Sequence, residues 1–334
     1  MDKVLVVGDL HISDVYVGHH KDYWQNCIDC ASKITGIIKD EGITHLILTG
    51  DLIGLREKNL RHRDSLLLVV LLLQEWNKLT NNHVYSVTGN HDVGGKLTDF
   101  GMLASMGVLK TTAHIKDISR QEDEVAYLDV GSCRFHFIDY GMERKSLNID
   151  RRPSHSNVAI THNDIQVSGQ TTWWYPSPNA FELSTMTNWK GVEFIVGGHI
   201  HNPSPEIAVT SIDGEKVSLL YAGCPTRPKK SDIWDMAYGV VFGVQEKNVD
   251  VSLAYINLPK AEQIFVDTFT DVEDETVDSA CSIEELAEIL DSLSQYHLDS
   301  DGDIESQIKK YSVADKEAGD IALEYYRRAV QEGA

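Results

Sequence analysis

Aspartate, asparagine and histidine stand together in five short groups of this 334-residue chain: Gly8-Asp9-Leu10-His11, Gly50-Asp51, Gly89-Asn90-His91-Asp92, Thr161-His162 and Gly198-His199-Ile200-His201. Carboxylate, carboxamide and imidazole are donors that divalent cations accept, and two cations held close together also need a carboxylate placed to bridge them. Asp9, His11, Asp51, Asn90, His162, His199 and His201 supply that set. In a strand-to-loop segment, residues two apart can turn to the same cleft, so Asp-x-His and His-x-His suit two ligands on one cation or one ligand on each. Paired cations lower the pKa of a shared water and stabilise charge on phosphoryl oxygens, which is the chemistry of phosphoester hydrolysis. An unperturbed histidine has a pKa of about 6.5, so His91 can act as a general acid around neutral pH, and a neighbouring carboxylate such as Asp92 would keep it charged. A lone histidine or aspartate after a strand is ordinarily a turn or surface group, so the weight rests on the combination. His19, His20, His45, His62, His83, His114, His136, His155 and His297 fall outside these groups and are read as structural or surface residues.

The groups matter only if the fold brings them to one place. Val4 to Val7 reads as a buried strand, His45 to Leu48 as the next and His83 to Val87 as the third, each followed closely by Gly-Asp or Gly-Asn. Between them, Asp22 to Lys39 and Asp64 to Leu79 carry apolar residues at helical spacing. Strand ends of such a sheet share one edge, so the groups meet there although about 190 residues separate the first from the last. After residue 124 strands follow one another: 125–130, 134–138, 158–161, 194–196, 207–211, 217–221, 238–244 and 249–255. Asp213-Gly214 and Lys247-Asn248 suggest antiparallel pairing in this half. The expected fold class is α/β: two mixed β-sheets in a sandwich flanked by helices, with a small helical C-terminal appendage.

Composition bounds the rest. At 42% hydrophobic the chain can build a sizeable core. The longest apolar run, Leu66 to Leu73, is far short of the roughly 20 residues of a membrane helix, and the first residues enter a strand, so no membrane association is expected. Five cysteines at irregular spacing fit a reducing cytoplasm better than a disulfide framework, and Cys27-x-x-Cys30 lies in a helical pattern, where it reads as packing. The net charge of −21 argues against coating nucleic acid through bulk electrostatics. From Lys260 onward there are 20 acidic and 6 basic residues, so two thirds of that excess lies in the last quarter. The division read from this shift is a catalytic domain over 1–259, a linker over 260–280 and a helical segment over 281–334. That segment is either a solvated acidic face or a docking element for a partner. The acidic run from Asp299 has its glycine at the fourth position, not the sixth that a calcium loop needs.

The order Asp-x-His, Gly-Asp, Gly-Asn-His-Asp, His, Gly-His-x-His resembles the calcineurin-like metallophosphoesterase superfamily over about residues 1–245. The resemblance implies that Asp9, His11 and His201 hold a first metal, that Asn90, His162 and His199 hold a second, and that Asp51 bridges them. It further implies a metal-bridging hydroxide attacking phosphorus in line, His91 as general acid and Asp92 orienting its ring. Two divalent ions are implied, manganese first, with iron, zinc or magnesium as other occupants.

Within the superfamily the chain is similar to SbcD-type DNA double-strand-break repair nuclease subunits and their large-phage recombination endonuclease relatives. Tyr221-Ala222-Gly223-Cys224-Pro225 resembles their Tyr-x-Gly-Ser/Thr-Pro segment, and Ala237-Tyr238-Gly239 follows as in that group. Cys224 departs from the Ser or Thr, and Gly50-Asp51-Leu52-Ile53 lacks the aromatic and second acid frequent there. The resemblance implies DNA as substrate, exonuclease or endonuclease activity in the cytoplasm of a bacterium or phage-infected host, and a homodimer. It also implies a partner, an SbcC-type SMC ATPase whose coiled coil binds the C-terminal helices. Three basic clusters are candidate phosphate contacts: Arg56, Lys58, Arg61 and Arg63; Arg144, Lys145, Arg151 and Arg152; and Arg227, Lys229 and Lys230. Trp173, Trp174 and Tyr175 either stack on bases or pack a lid. The alternative is a small-molecule or cyclic-nucleotide phosphodiesterase, or a protein phosphatase, of the same superfamily. A non-catalytic scaffold is disfavoured because every expected ligand is present.

Overall fold

The computed structural model describes residues 1–14, 20–54, 63–93, 99–119, 125–141, 149, 154–166, 181–183, 189, 191–212, 215–229, 231–246 and 248–265. Strand β1 (Asp2–Val7) leads through helix α1 (Tyr23–Glu41) to β2 (His45–Leu48), and α2 (Arg63–Leu79) leads to β3 (Val84–Ser86). Helix α3 (Asp99–Ser105), β4 (Lys110–Thr111) and α4 (Thr112–Ser119) follow. Then come β5 (Ala126–Val130), β6 (Cys133–Ile138), β7 (Ser156–Thr161), a small pair β8 (Ile165–Gln166) and β9 (Phe181–Glu182), and β10 (Phe194–Gly197). The described chain ends with β11 (Ser204–Ile212), β12 (Glu215–Tyr221), β13 (Met236–Val244), β14 (Val249–Asn257) and α5 (Ala261–Ile264).

One six-stranded sheet has the order β14-β13-β1-β2-β3-β4 and the other β11-β12-β10-β7-β6-β5. Both are mixed. In the first, β1 to β4 run parallel and β13 returns antiparallel to β1. In the second, β6, β7, β10 and β12 are parallel, and only the hairpins β5–β6 and β11–β12 are antiparallel. The strand pairs on either side of the two sets of turn residues, β11–β12 and β13–β14, are antiparallel as expected, and the expectation is corrected only for the parallel centre of the second sheet. Turn residues report only hairpins, whereas the chain between β6 and β7 and between β7 and β10 is long enough to cross over. Burial agrees, since a parallel strand covered on both faces is apolar throughout.

The alternation of β1 shows how the layers form. Val4 and Val6 point between the sheets with Ile47, Phe135, Phe137, Ile160, Val196 and Phe242. Leu5 and Val7 point the other way, with Leu46 and Leu48, onto Ile34 and Ile38 of α1 and Val69, Leu73 and Trp76 of α2. A third cluster covers the outside of the second sheet with Ala159, Ile195, Leu219, Tyr221 and Trp189. Each such buried aliphatic side chain contributes about 1.5–3 kcal/mol, so the parallel strands that carry the site are anchored from both faces.

Helix α1 begins at Asp22, whose side chain accepts from Gln25 N, and ends at Gly42 in the left-handed region (φ 63°), where its N–H reaches the Ile38 and Lys39 carbonyls. Cys27 and Cys30 are buried in this helix, in keeping with packing. Ile264 and Phe265 are also buried, and Phe265 bridges to His20. The helical patterns and candidate partner segment of 281–334 lie outside the described residues.

His45 and His83 stack at the N-terminal ends of the neighbouring strands β2 and β3, with ring centroids 4.3 Å apart and planes 4° from parallel. Burial, then the neighbouring His83, lower the His45 pKa to about 4. A depressed histidine favours the neutral folded form, so its contribution is fully present above the ordinary value of 6.5 and is lost as pH falls towards about 4. His45 is only half-buried, so after allowance for solvent screening the contribution is on the order of 1 kcal/mol. Urea unfolding of His45→Phe should show a shallower loss of stability over this window than the wild type.

Candidate metal centre

The five groups lie just beyond the C-terminal ends of β1, β2, β3, β7 and β10, on adjacent parallel strands of the two sheets. Backbone hydrogen bonds lock the loops together: Leu10 N and His11 N both donate to the Asp51 carbonyl, and Gly198 N donates to Thr161 O. Three of the candidate ligands hold left-handed backbone, His11 at φ 42°, Asp51 at φ 48° and His199 at φ 71°. Such conformations cost of order 1–3 kcal/mol each and persist where the surroundings over-determine them. Gly89 and Gly198 permit the close approach, because a Cβ on either would collide with the Asp51 or Asp9 carboxylate.

All seven candidate ligands come together. Around Asp9, the His11 and His201 rings face each other with Nε2 atoms 3.1 Å apart, and lie 4.0 and 3.9 Å from Asp9 Oδ2. Around Asn90, its Oδ1 is 2.9 Å from both His162 Nε2 and His199 Nδ1. Asp51 Oδ2 lies between the two clusters, 3.6 Å from His11 Nε2 and 3.2 Å from His162 Nε2. His91 stands on the open side with 35% of its side chain exposed, its Nε2 3.9 Å from the same Asp51 oxygen.

Two neighbouring bonds set which ring nitrogen faces the centre. His162 Nδ1 donates to the Thr49 carbonyl at 2.6 Å, leaving Nε2 towards Asp51 and Asn90. His201 Nδ1 is 3.0 Å from buried Asp232 Oδ2, leaving Nε2 towards His11. A carboxylate behind a ligating histidine fixes its tautomer and raises its basicity. Asp232→Asn is therefore expected to weaken metal binding about 10- to 100-fold, read by titrating metal-free protein with a divalent ion. Nothing in the spacing from His201 to Asp232 flags this residue in the sequence.

The electrostatics call for positive charge. Asp9 and Asp51 are both buried. Burial lifts Asp9 to about 6 against the pull of His162. Burial would also raise Asp51, but His162, His11 and His91 hold it well below its ordinary value. Burial disfavours a charged His162, yet Asp9, Asp51 and the Thr49 carbonyl outweigh it and lift the ring to about 9. His11 is pushed well below its ordinary value by burial and then His201, and His199 to about 4 by burial and then His162. Two buried carboxylates thus draw a proton onto one imidazole while its neighbours are kept neutral and ready to donate lone pairs. Divalent cations satisfy the same demand, and the donor set fits them. The ligand atoms of Asp9, Asp51 and His162 lie within 4.8 Å of one another, as do those of His11, Asp51 and His91.

Two sequence expectations need correction. Asp92 does not orient the His91 ring, because its Oδ2 accepts from Gly89 N at 2.9 Å and Asp51 N at 2.8 Å and so fastens two ligand loops together. Burial and then Asp51 raise its pKa to about 7. The His91 ring instead meets His11 edge-on, 5.1 Å between centroids, and burial lowers its pKa more than nearby Asp51 raises it. Arg227 is not a phosphate contact. Its guanidinium is buried and donates to the carbonyls of Trp234 (2.8 Å) and Pro259 (2.7 Å). Lys229 is exposed and close enough to His91 to influence its titration. The basic residues of 56–61, 144–152 and 230, the side chain of Arg63, and Trp173, Trp174 and Tyr175 lie outside the described residues.

Tyr140, which no sequence motif singles out, stands on the rim. It is 37% exposed, and its ring centroid lies 5.9 Å from that of His199 and 6.1 Å from that of His162. Its N–H donates to Thr88 O and the preceding Asp139 accepts from Thr88 N, so the ring is fixed to the strand end that carries Asn90.

Strand-end loops of two mixed sheets, converging on buried carboxylates, a carboxamide and imidazoles, define a metal-dependent phosphoesterase. The chain belongs to the calcineurin-like phosphoesterase family, whose model matches residues 2–203. Among solved structures it is similar to a dimetal phosphatase from Danio rerio, with 10% identity and a TM-score of 0.47 over 78% of this chain and 99% of that one. It is also similar to YfcE, a phosphoesterase from E. coli, with 12% identity and a TM-score of 0.35 over 77% and 100%. A protein of Thermus thermophilus, TT1561, matches with 7% identity and a TM-score of 0.40 over 75% and 98%. No curated protein matches the chain. Among the described residues, no helix is long and apolar enough to cross a membrane.

Proposed function

We propose that the chain is a two-metal-dependent phosphodiesterase acting on DNA, working as the nuclease subunit of a recombination and double-strand-break repair complex. The observation that carries the two-metal reading is the position of Asp51 Oδ2 between the two clusters, 3.6 Å from His11 and 3.2 Å from His162. Asp9, His11 and His201 would hold one divalent ion, Asn90, His162 and His199 the other, and Asp51 both. Bound there, the pair supplies a water activated near neutral pH and positive charge for the phosphoryl oxygens.

The chain's own residues do the remainder. Asp51 and Asp9 neutralise the cations, while Thr49 and Asp232 fix the His162 and His201 tautomers. His91, on the open side, donates a proton to the leaving oxygen. The partly exposed Tyr140 ring offers a face for a nucleobase beside His199, and Lys229, near His91, a cation for a phosphate. The likeness of Tyr221-Ala222-Gly223-Cys224-Pro225 to the SbcD-type segment favours DNA over a small diester. In the same proposal the 281–334 segment binds an SMC-type ATPase coiled coil, and the chain forms a homodimer.

Incubation of end-labelled duplex and single-stranded DNA with protein and manganese, beside bis(4-nitrophenyl) phosphate, tests the reading. DNA degradation is expected. Cleavage of the small diester alone, even with a candidate ATPase partner added, would replace the nuclease reading with the small-substrate alternative.

A further inference from the structure

Cys224 sits where the resembled nucleases carry a hydroxyl, and the fold presses it against the first cluster. Just past β12, its N–H donates to the His201 carbonyl at 2.9 Å. Two residues on, Thr226 Oγ1 donates to Leu10 O at 2.7 Å, while Tyr23 on α1 donates to His11 O at 2.8 Å and reaches Thr226 at 3.3 Å. Gly223 is packed so closely on Gly8 that a Cβ on Gly8 would strike the Gly223 carbonyl. The segment is thus tied to both loops that carry His11 and His201, and the sulfur has little freedom to move away.

The sulfur also has company that the other described cysteines lack. Cys224 Sγ, one ring nitrogen of His11 and one of His201 lie within 4.8 Å of one another, all three residues being buried. Among the described residues, Cys27, Cys30 and Cys133 belong to no such group. Cys30, for instance, donates to the Pro225 carbonyl at 3.2 Å as a packed thiol would.

Resting on the reading of this site as a metal centre, but not on DNA as substrate, we propose that Cys224 Sγ is a direct ligand of the cation held by Asp9, His11 and His201. Two imidazoles, the Asp9 carboxylate, the shared Asp51 carboxylate and a thiolate form a set that the sulfur tilts towards zinc, iron(II) or cobalt over manganese or magnesium. Among the described residues, no cysteine joins the Asn90, His162 and His199 cluster, which keeps no such preference. The two positions are therefore chemically unequal, with a thiophilic ion at the first. Loading that position replaces the Sγ–H bond with an Sγ–metal bond and releases the proton to water.

Zinc X-ray absorption on the wild-type full chain needs no variant. A sulfur scatterer at about 2.3 Å from zinc is expected, and a shell of nitrogen and oxygen alone would overturn the proposal. Cobalt(II) loading gives a second reading: a thiolate-to-cobalt charge-transfer band in the near ultraviolet in the wild type, missing in Cys224→Ser. The same substitution should shift the zinc-to-manganese affinity ratio towards manganese by about 10-fold or more, on the scale of other changes beside a metal ligand. Bound cobalt without that band, or a band that survives in Cys224→Ser, sinks the sulfur ligand and leaves the metal centre standing. A wild-type chain that takes up no divalent ion sinks both.

Discussion

Asp51→Asn is expected to reduce metal affinity by at least about 10³-fold and to remove measurable phosphodiesterase activity at ordinary metal concentrations. A unit charge pair 4 Å apart at an effective dielectric near 20 is worth about 4 kcal/mol, roughly 10³ in a binding constant. Asp51 faces both clusters, so both bound ions lose that attraction. The fold should survive, because the Asp51 Oδ1 that accepts from His91 N at 2.8 Å has an amide counterpart of the same shape. Metal analysis after gel filtration, beside a thermal melt, separates loss of metal from loss of structure. Retention of two tightly bound ions in the variant would contradict the bridging role.

His91→Ala is the second large effect, and its pattern matters more than its size. A general acid contributes typically about 10²- to 10⁴-fold, so DNA cleavage should fall by that much with metal content unchanged. The alkoxide leaving a nucleotide needs the proton, whereas 4-nitrophenolate departs without one. The loss on bis(4-nitrophenyl) phosphate should accordingly be much smaller. An equal loss on both substrates would make His91 a binding or electrostatic group. Its 35% exposure, beside the buried Asp9, His11, Asp51, His162 and His201, is what places it within reach of a leaving group.

The site was legible in the sequence because its members follow strands, and strands announce themselves by local apolar runs. The bounds of β2 match the sequence reading, and the other main strands and two long helices differ at their ends by a few residues. What depended on distant contacts was not legible. The 99–119 stretch packs as α3, β4 and α4, but its short elements carry no extended period of either kind. The parallel centre of the second sheet is set by crossovers whose direction leaves no local mark.

The same reason covers the residues around the centre. Asp232 meets His201 across 31 positions, through a bond that no motif encodes. Tyr140 follows a strand as an ordinary turn residue would, and only the distances from its ring to His162 and His199 single it out. Arg227 stands beside Lys229 and Lys230 and so reads as surface charge, yet it is drawn inward by the carbonyls of Trp234 and Pro259. Asp92 looks like a partner for its neighbour His91, but its oxygen is taken by two backbone N–H groups.

The most direct test of the central claim is the stoichiometry of divalent ions on the metal-free wild-type chain, followed alongside hydrolysis of a phosphodiester. Two ions per chain are predicted, with activity rising only as the second position fills. Full activity in the presence of a strong chelator, or activity that saturates with a single bound ion, would contradict a centre built around a shared Asp51.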